Sequence, residues 1–258
     1  MTDPAAPQEG PQETFISHLI ELRSRLLRSI VAVIVVLLGL FPFAKDIYSA
    51  LAAPLLRVLP AGATMIATDV TGTFFVPLKV TLMAAFLLAL PYVLWQVWAF
   101  VAPGLYQHEK RLAVPVIVSS FVFFLIGMSF AYFLVFPIAF GFFAAYAPAG
   151  VTMMTDIDKY LSFVLTMFIA FGLTFEVPVV VIVLVRMRIV TLEKLRSIRP
   201  YVIVGAFVVG AIFTPPDVVS QLLLAVPMWL LYEFGLLMAR FFVPPARDDD
   251  GGEPAAAK

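Results

Sequence analysis

The chain has 258 residues and a formal net charge of zero; 62% of its residues are hydrophobic and only 13% are charged. Soluble domains are about half apolar and a quarter charged, so this composition, with a mean hydropathy of +1.01, indicates an all-α polytopic membrane protein. The balanced charge predicts no nucleic-acid partner, because no overall positive field attracts a polyanion. With no cysteine and two histidines, the chain offers no thiolate chemistry and too few ligands for a histidine-rich metal centre.

Six apolar runs are candidate membrane-spanning helices, judged against the roughly 20 residues that a span needs. They cover residues 26–43, 74–101, 113–136, 160–185, 201–213 and 218–238. We expect a transmembrane domain over residues 15–240, flanked by disordered cytoplasmic tails at 1–14 and 241–258.

Positive charge alternates between the loops that join these runs. Thirteen of the seventeen Lys and Arg residues lie in the N-terminal flank, the second and fourth loops and the C-terminal flank. Because cytoplasmic loops carry an excess of Lys and Arg, both termini are predicted to be cytoplasmic. The first and third loops are then external, and we expect them to form a cap on the outer side.

The last two runs predict a short helical hairpin. The fifth run ends at the turn TPPD, residues 214–217, and its helix of roughly 20 Å falls short of a hydrocarbon core of about 30 Å. Asp217 is placed to cap the sixth helix, and Gln221 to hydrogen-bond a partner helix. Two interpretations stay open: the hairpin is covered by partners and thins the bilayer, or it packs only on its own bundle.

The stretch FISHLIELRSRLLRSI, residues 15–30, introduces the first run. It places Glu21 four residues before Arg25, the favourable order for an ion pair on one helix face. The pair is either a helix-stabilising contact beside arginines that anchor the span, or it contains a carboxylate presented to a cationic partner. Glu109, beside Lys110 and Arg111 in the second loop, is predicted at the same membrane surface, as an ordinary loop charge or as a second carboxylate.

Glu176 lies within the fourth run, in FGLTFEVPVVV. An ionisable residue inside a span is costly and is a functional hypothesis by default. It is either a protonated or paired group facing a polar notch, or a direct participant in transport. The sequence has no Walker loop and no HExxH or GxSxG motif, so it predicts no catalytic residue, no enzyme activity and no cofactor.

With these residues in view, the chain resembles the TatC family, the multi-spanning receptor subunits of the twin-arginine protein translocase. The resemblance is carried, in family order, by HLIELRSRLL, TMIATDV, LPYVLWQVWAFVAPGLYQHEKR, FGLTFEVPV, RPYVIVGAFVVG and FTPPDVVSQLLLAVPM. It implies a receptor in the bacterial cytoplasmic membrane that binds twin-arginine signal peptides at its cytoplasmic face. Export of folded proteins, driven by the proton motive force, is implied as well.

The resemblance also implies roles for individual residues. Glu21 and Glu109 would bind the two signal arginines. The residues expected to shape the surface around them are Arg23, Arg25, Phe100 and Arg111. The intramembrane Glu176 would meet the signal's apolar segment or a polar residue of a partner helix.

Three kinds of partner follow from the same resemblance: single-span TatA and TatB subunits, further copies of this chain, and the lipid bilayer. Helices five and six would contact the single-span subunits. The expected contact residues are Thr214, Gln221, Ala211 and Ile212.

The alternative function is a proton-coupled small-molecule transporter that uses Glu176 as its proton site. Interrupted helices in matching halves of the sequence, typical of such carriers, are not evident, and a membrane enzyme ranks lower still. In the receptor interpretation, the Glu21–Arg25 pair is a placeholder in the empty state that the signal displaces.

Overall fold

A computed structural model of the chain describes residues 11–56, 66–101, 110–146 and 154–242. Over these ranges the backbone is helical apart from turns and one isolated bridge between Ile66 and Asp156. The predicted all-α architecture is confirmed. The helices in chain order are α1 Pro11–Leu40, α2 Ala44–Leu56, α3 Gly72–Val101, α4 Lys110–Phe130, α5 Phe136–Ala145, α6 Ile157–Phe175, α7 Val177–Arg186, α8 Leu192–Ser197, α9 Arg199–Phe213 and α10 Val218–Phe242.

Six helical segments correspond to the six predicted spans. Five of those in the described ranges are long and apolar enough to cross a membrane, and α9 is a shorter apolar helix. The long segments are Ile16–Leu51, Gly72–Phe100, Val114–Phe143, Ile157–Arg186 and Val218–Phe241.

The bounds of the first and last helices differ from the prediction. Helix α1 begins at Pro11, inside the segment 1–14 that we expected to be disordered; proline suits the first turn of a helix because its φ is preset and its missing N–H is not needed there. Helix α10 has 25 residues, about 37 Å, so the prediction that the sixth helix is short is wrong. Helix α9, with 15 residues, is short as predicted. Residues 1–10 and 243–258 lie outside the described ranges.

Besides the 3-10 turn Phe41–Phe43 that separates α1 from α2 in the first long segment, the third and fourth spans are interrupted. The fourth span breaks at Glu176 between α6 and α7, two residues before Pro178, because proline has no N–H for the helix ladder and crowds the carbonyl four residues earlier. The third span contains a π-helical turn, Ala131–Val135, between α4 and α5. Such turns widen a helix locally by one residue.

Helices α4 and α6 meet at the centre of the core through two glycines. A Cβ at Gly127 would clash with the carbonyl oxygen of Phe171, and one at Gly172 would clash with the Phe124 ring. Phe124 and Phe171 are among the largest fully buried side chains in the described chain. Small residues allow helix backbones in a membrane to approach this closely, so the two glycines set the spacing of the core.

The other spans surround this centre. Helix α1 packs on α3, and α10 packs on α7 and α9. Gly235 of α10 lies against α7, where an added Cβ would be 2.9 Å from the Cα of Pro178. The break in the fourth span therefore lies at a helix crossing.

The ends of the bundle predicted to face outward are joined through Asp156. Ile66 donates to the Thr155 carbonyl at 3.1 Å and its own carbonyl accepts from Ile157 at 3.0 Å. The Asp156 carboxylate accepts from the Thr68 hydroxyl and from the backbone N–H of Asp158 and Lys159 at the start of α6. These bonds, led by that from Thr68, lower the pKa of Asp156 from its usual 3.8 to about 2. The first and third predicted external loops are thus tied together, as a cap requires.

The glycine contact between α4 and α6 predicts that Gly127→Ala destabilises the protein. Because the clash is with backbone rather than with a flexible side chain, we expect a loss of about 1–3 kcal/mol. Thermal unfolding in nanodiscs measures it.

Gly141→Ala is the matched control in the same span, since nothing lies within 4 Å of its added Cβ. Alanine there should be neutral or slightly stabilising, because glycine is the poorer helix former. Equal loss in both variants would contradict the packing contact.

Candidate functional site

The first candidate site lies where the N-terminal half of α1 meets the end of α3. Arg25 donates to one oxygen of Glu21, Oε1, from Nε at 2.8 Å and from Nη2 at 2.6 Å. Its third nitrogen, Nη1, donates to Gln96 Oε1 of α3 at 3.3 Å. The Glu21–Arg25 pair predicted from the spacing is therefore present, and a residue of another helix joins it.

Gln96 is an amide held in a fixed orientation. It is 2% exposed, and its Nε2 donates to the Tyr92 hydroxyl at 2.8 Å. A guanidinium group has only donors, so the amide oxygen must face Arg25 and the amide nitrogen must face Tyr92. The buried, uncharged amide oxygen of Gln96 thus accepts a hydrogen bond from the charged guanidinium of Arg25.

Burial differs between the two charged partners. The side chain of Glu21 is 38% exposed and that of Arg25 is 23% exposed. The carboxylate is therefore more accessible than the guanidinium that holds it.

An aromatic stack lies beside this pair. The rings of His18 and Phe100 have centroids 4.3 Å apart and planes 21° from parallel. The stack joins α1 to the last turn of α3, so Phe100 lies next to the Glu21 region, where the resemblance places it.

The other residues expected at this surface are only partly described. Arg23 is exposed and is not part of the Glu21–Arg25 contact. Glu109 lies outside the described residues, and for Arg111 the structure gives only its backbone position in the first turn of α4. The proximity of Glu21 and Glu109 therefore stays a prediction.

The second candidate site surrounds Glu176 at the break between α6 and α7. Ser120 of α4 lies beside its carboxyl group, and the Ser120 hydroxyl accepts from Trp98 Nε1 of α3 at 3.0 Å. One carboxyl oxygen, Oε1, is buried without a hydrogen-bond partner in the described structure. Buried carboxyl oxygens are normally hydrogen-bonded, so Oε1 is an exception within the described part of the chain.

The third candidate site is the hairpin of α9 and α10. Gln221 Nε2 donates to the Phe207 carbonyl at 3.0 Å, and Thr214 Oγ1 donates to the Gly210 carbonyl at 2.8 Å. Both polar side chains thus bond within the hairpin, whereas Ala211 and Ile212 are exposed. The surface left for a partner here is apolar.

Asp217 and Glu233 lie near the two ends of α10. Asp217 Oδ1 accepts from the Ser220 N–H at 2.7 Å, which is the geometry of an N-cap. Glu233 pairs with Arg199 of α9 at 2.6 Å.

Sequence reasoning missed Gln96, Tyr92 and Trp98. Each is a polar or half-polar residue inside an apolar run, and Tyr92 and Gln96 are four residues apart on one helix face. That spacing within LPYVLWQVWAF is the signal that points to a buried polar contact. In the described part of the chain, no three His, Asp or Glu side chains form a group suited to a metal ion.

Known proteins resemble this chain over nearly its whole length. A family model described as Sec-independent protein translocase protein (TatC) matches residues 17–227. The chain belongs to the TatC family. The TatC protein of Azotobacter chroococcum mcd 1 is 56% identical over 253 residues, 97% of this chain and 99% of that protein. The TatC protein of Escherichia coli K12 is 57% identical over 236 residues, 92% of each chain.

A solved structure agrees with the sequence comparison. The crystal structure of a twin-arginine translocase receptor, TatC, matches with a TM-score of 0.77 and 40% identity, covering 87% of this chain and 99% of that one. The resemblance predicted from the sequence is confirmed.

Membership of the TatC family settles the general role. The chain is a component of a Sec-independent, twin-arginine protein translocase. It crosses the bacterial cytoplasmic membrane several times and acts in transport rather than as a member of a catalytic family. The matched region includes every candidate site residue from Glu21 to Gln221.

The hydrogen bond from Trp98 to Ser120 predicts that Ser120→Ala destabilises the protein. The substitution removes the acceptor of the buried Trp98 indole N–H, and an unsatisfied buried donor costs about 1–3 kcal/mol. Thermal unfolding in nanodiscs, with the Trp emission maximum as a second signal, measures it.

Ser119→Ala is the matched control one residue away. Its hydroxyl bonds only to the Val116 carbonyl of its own helix among the contacts of the described chain, so its loss should stay within about 0.5 kcal/mol. A loss in Ser119→Ala as large as in Ser120→Ala would contradict the role of the Trp98 contact.

Proposed function

We propose that this chain is the signal-peptide receptor of the translocase, and that Glu21 and Glu109 bind the paired arginines of twin-arginine signals. The observation that supports it best is the Glu21 carboxylate: it is partly exposed and already shaped around a guanidinium, that of Arg25. A site that accepts an arginine of its own chain has the chemistry to accept one from a ligand.

The position of Glu109 in the sequence supports a second carboxylate nearby. Helix α3 ends at Val101, one residue after the Phe100 that stacks on His18 of α1. Glu109 directly precedes α4, which begins at Lys110. The connection that carries Glu109 therefore starts beside the Glu21 site.

The geometry of the guanidinium group accounts for a preference for arginine over lysine in the signal. Guanidinium groups bind carboxylates with a planar fork of donors, whereas lysine presents a single point charge. A fully exposed pair would contribute only about 0.2–1 kcal/mol, but charge-assisted bonds at a shielded site reach about 1.5–3 kcal/mol. With its side chain 38% exposed, Glu21 lies between these limits, and two such sites favour two arginines.

Deeper in the bundle, Glu176 is proposed to receive a polar residue of a partner helix or to line the path of the signal's apolar segment. Its free Oε1 supports this, because a donor from another chain would satisfy a buried acceptor. The proton motive force is the proposed source of energy for export of the folded cargo, and further copies of this chain are expected in the receptor complex.

The hairpin is the proposed docking surface for single-span TatA and TatB subunits. Helix α9 spans about 22 Å of a hydrocarbon core about 30 Å thick, so lipid beside it must thin or a partner must cover it. Ile212, 71% exposed, marks the apolar face that such a helix would contact.

The receptor proposal predicts that Glu21→Ala and Glu109→Ala each weaken crosslinking of a twin-arginine signal peptide to the protein in membranes. Each removes one carboxylate, so each should lower binding about tenfold or more, with the protein still folded and inserted. Glu193→Ala, an exposed carboxylate of α8, is the control and should have no effect. Unchanged crosslinking in the Glu21 and Glu109 double variant would rule out these residues as the receptor site.

The docking proposal predicts that a photo-crosslinker at position 212 captures a TatA or TatB subunit. The matched control is position 133, because Phe133 is 76% exposed on the third span but does not border the short helix. Equal capture at the two positions, or capture at 133 alone, would contradict the assignment of the hairpin surface.

A further inference from the structure

Arg25 holds Glu21 in a way that leaves part of the carboxylate available. Both bonds from Arg25 end on the same oxygen, Oε1, so the pair is not the two-oxygen fork that is the strongest form of such a contact. An incoming guanidinium can therefore approach Oε2 while Arg25 is still bound to Oε1.

Full occupation of Glu21 by a ligand requires Arg25 to leave. Its side chain is 23% exposed, and a partly buried guanidinium that loses the one carboxylate it contacts among the described residues is costly unless another acceptor takes its place. Gln96 is that acceptor: its amide oxygen already contacts Nη1.

The contact between Gln96 and Arg25 is long for a hydrogen bond. At 3.3 Å it lies just beyond the usual 2.7–3.2 Å of an N–H···O bond, while Arg25 bonds Glu21 at 2.6 and 2.8 Å. A guanidinium released from Glu21 would be free to move onto Gln96 and to shorten this bond. Only an interaction that differs between two states can shift their equilibrium, so a Gln96 bond that shortens on release would favour the displaced state.

We propose that Gln96 is a positioning residue that receives Arg25 when a signal-peptide arginine takes Glu21, and so sets how readily the site opens. The inference rests on the proposed role of Glu21 as a signal-binding residue. The amide serves because it is neutral: it accepts from Arg25 without competing with Glu21 for the cation in the empty site. Tyr92 keeps the amide oxygen directed at Arg25 by accepting from Nε2.

Two substitutions at Gln96 should change binding in opposite directions. Gln96→Leu removes the acceptor and should weaken binding of a twin-arginine signal peptide about tenfold, equivalent to about 1.4 kcal/mol. Gln96→Glu keeps the size of the side chain and offers Arg25 a second carboxylate, so it should free Glu21 and tighten binding about tenfold. A purely structural role for Gln96 would weaken binding in both variants.

Tyr92→Phe provides a milder test that leaves Gln96 in place. It removes the hydroxyl that orients the amide, so it should weaken binding less than Gln96→Leu does. Tyr92→Phe therefore still tests the inference if a Gln96 variant fails to fold.

The experiment measures a fluorescent synthetic twin-arginine signal peptide binding to the full-length protein in nanodiscs, with a twin-lysine peptide as the ligand control. Each Gln96 variant is made alone and with Arg25→Ala. If Gln96 acts through Arg25, both effects disappear in the Arg25→Ala background. A Glu at position 96 that bound the peptide directly would still tighten binding in that background, which would overturn the inference.

Glu21→Gln separates this inference from the proposed function. If Glu21→Gln abolishes binding, and the two Gln96 variants have opposite effects that vanish without Arg25, both the proposed function and the role of Gln96 are supported. If Glu21→Gln abolishes binding but the Gln96 variants both weaken it or leave it unchanged, the role of Gln96 alone is overturned. If Glu21→Gln retains binding, the proposed site and the role of Gln96 are overturned together.

Discussion

The close approach of α4 and α6 is the contact on which the interior of this protein depends. Gly127 faces the backbone at Phe171, and Gly172 faces the ring of Phe124. In lipid, apolar side chains gain little by leaving the solvent, so tight packing through small residues replaces the hydrophobic effect as the force that joins helices. Ser120 lies two turns before Gly127, and Glu176 lies one turn after Gly172. The spacing that the glycines set is therefore the spacing at which the serine reaches the carboxyl group.

The interrupted fourth span shows how a membrane helix carries an ionisable group. Pro178 removes an N–H from the ladder, and Glu176 lies at the resulting break, beside Ser120 of α4. Non-helical backbone at membrane depth is tolerated only where it is buried in protein or lines a cavity. Here α10 packs directly after the break, through Gly235 against Pro178 and Val181.

Local patterns in the sequence predicted a large part of this arrangement. Apolar runs predicted the spans because lipid imposes their length, and the four-residue spacing of Glu21 and Arg25 predicted their contact because helix geometry imposes it. The TPPD turn predicted a cap, and Asp217 accepts from Ser220 as a capping residue does. These features depend on residues that are neighbours in the chain.

Contacts between distant residues were beyond such patterns. Arg199 and Glu233 belong to different helices, and only the packing of α9 on α10 brings them within 2.6 Å. Gln96 carries no charge, so the rule that marks ionisable residues in spans passed over it. Helix α10 continues past the predicted run 218–238 to Phe242: Arg240 lies in its last turn, where a basic side chain suits both the helix dipole and the membrane surface.

Helix α3 connects the two polar sites. Its last three turns carry Gln96, which bonds Arg25 of α1, and Trp98, which bonds Ser120 of α4 and thereby adjoins Glu176. Residues two apart on a helix point in directions about 200° apart, so one rigid segment reaches a neighbour on each side. The face of α3 opposite α1 is fixed by the buried indole of Trp98. The Glu21–Arg25 pair and the carboxyl group of Glu176 thus share a single structural support, although they lie on different helices.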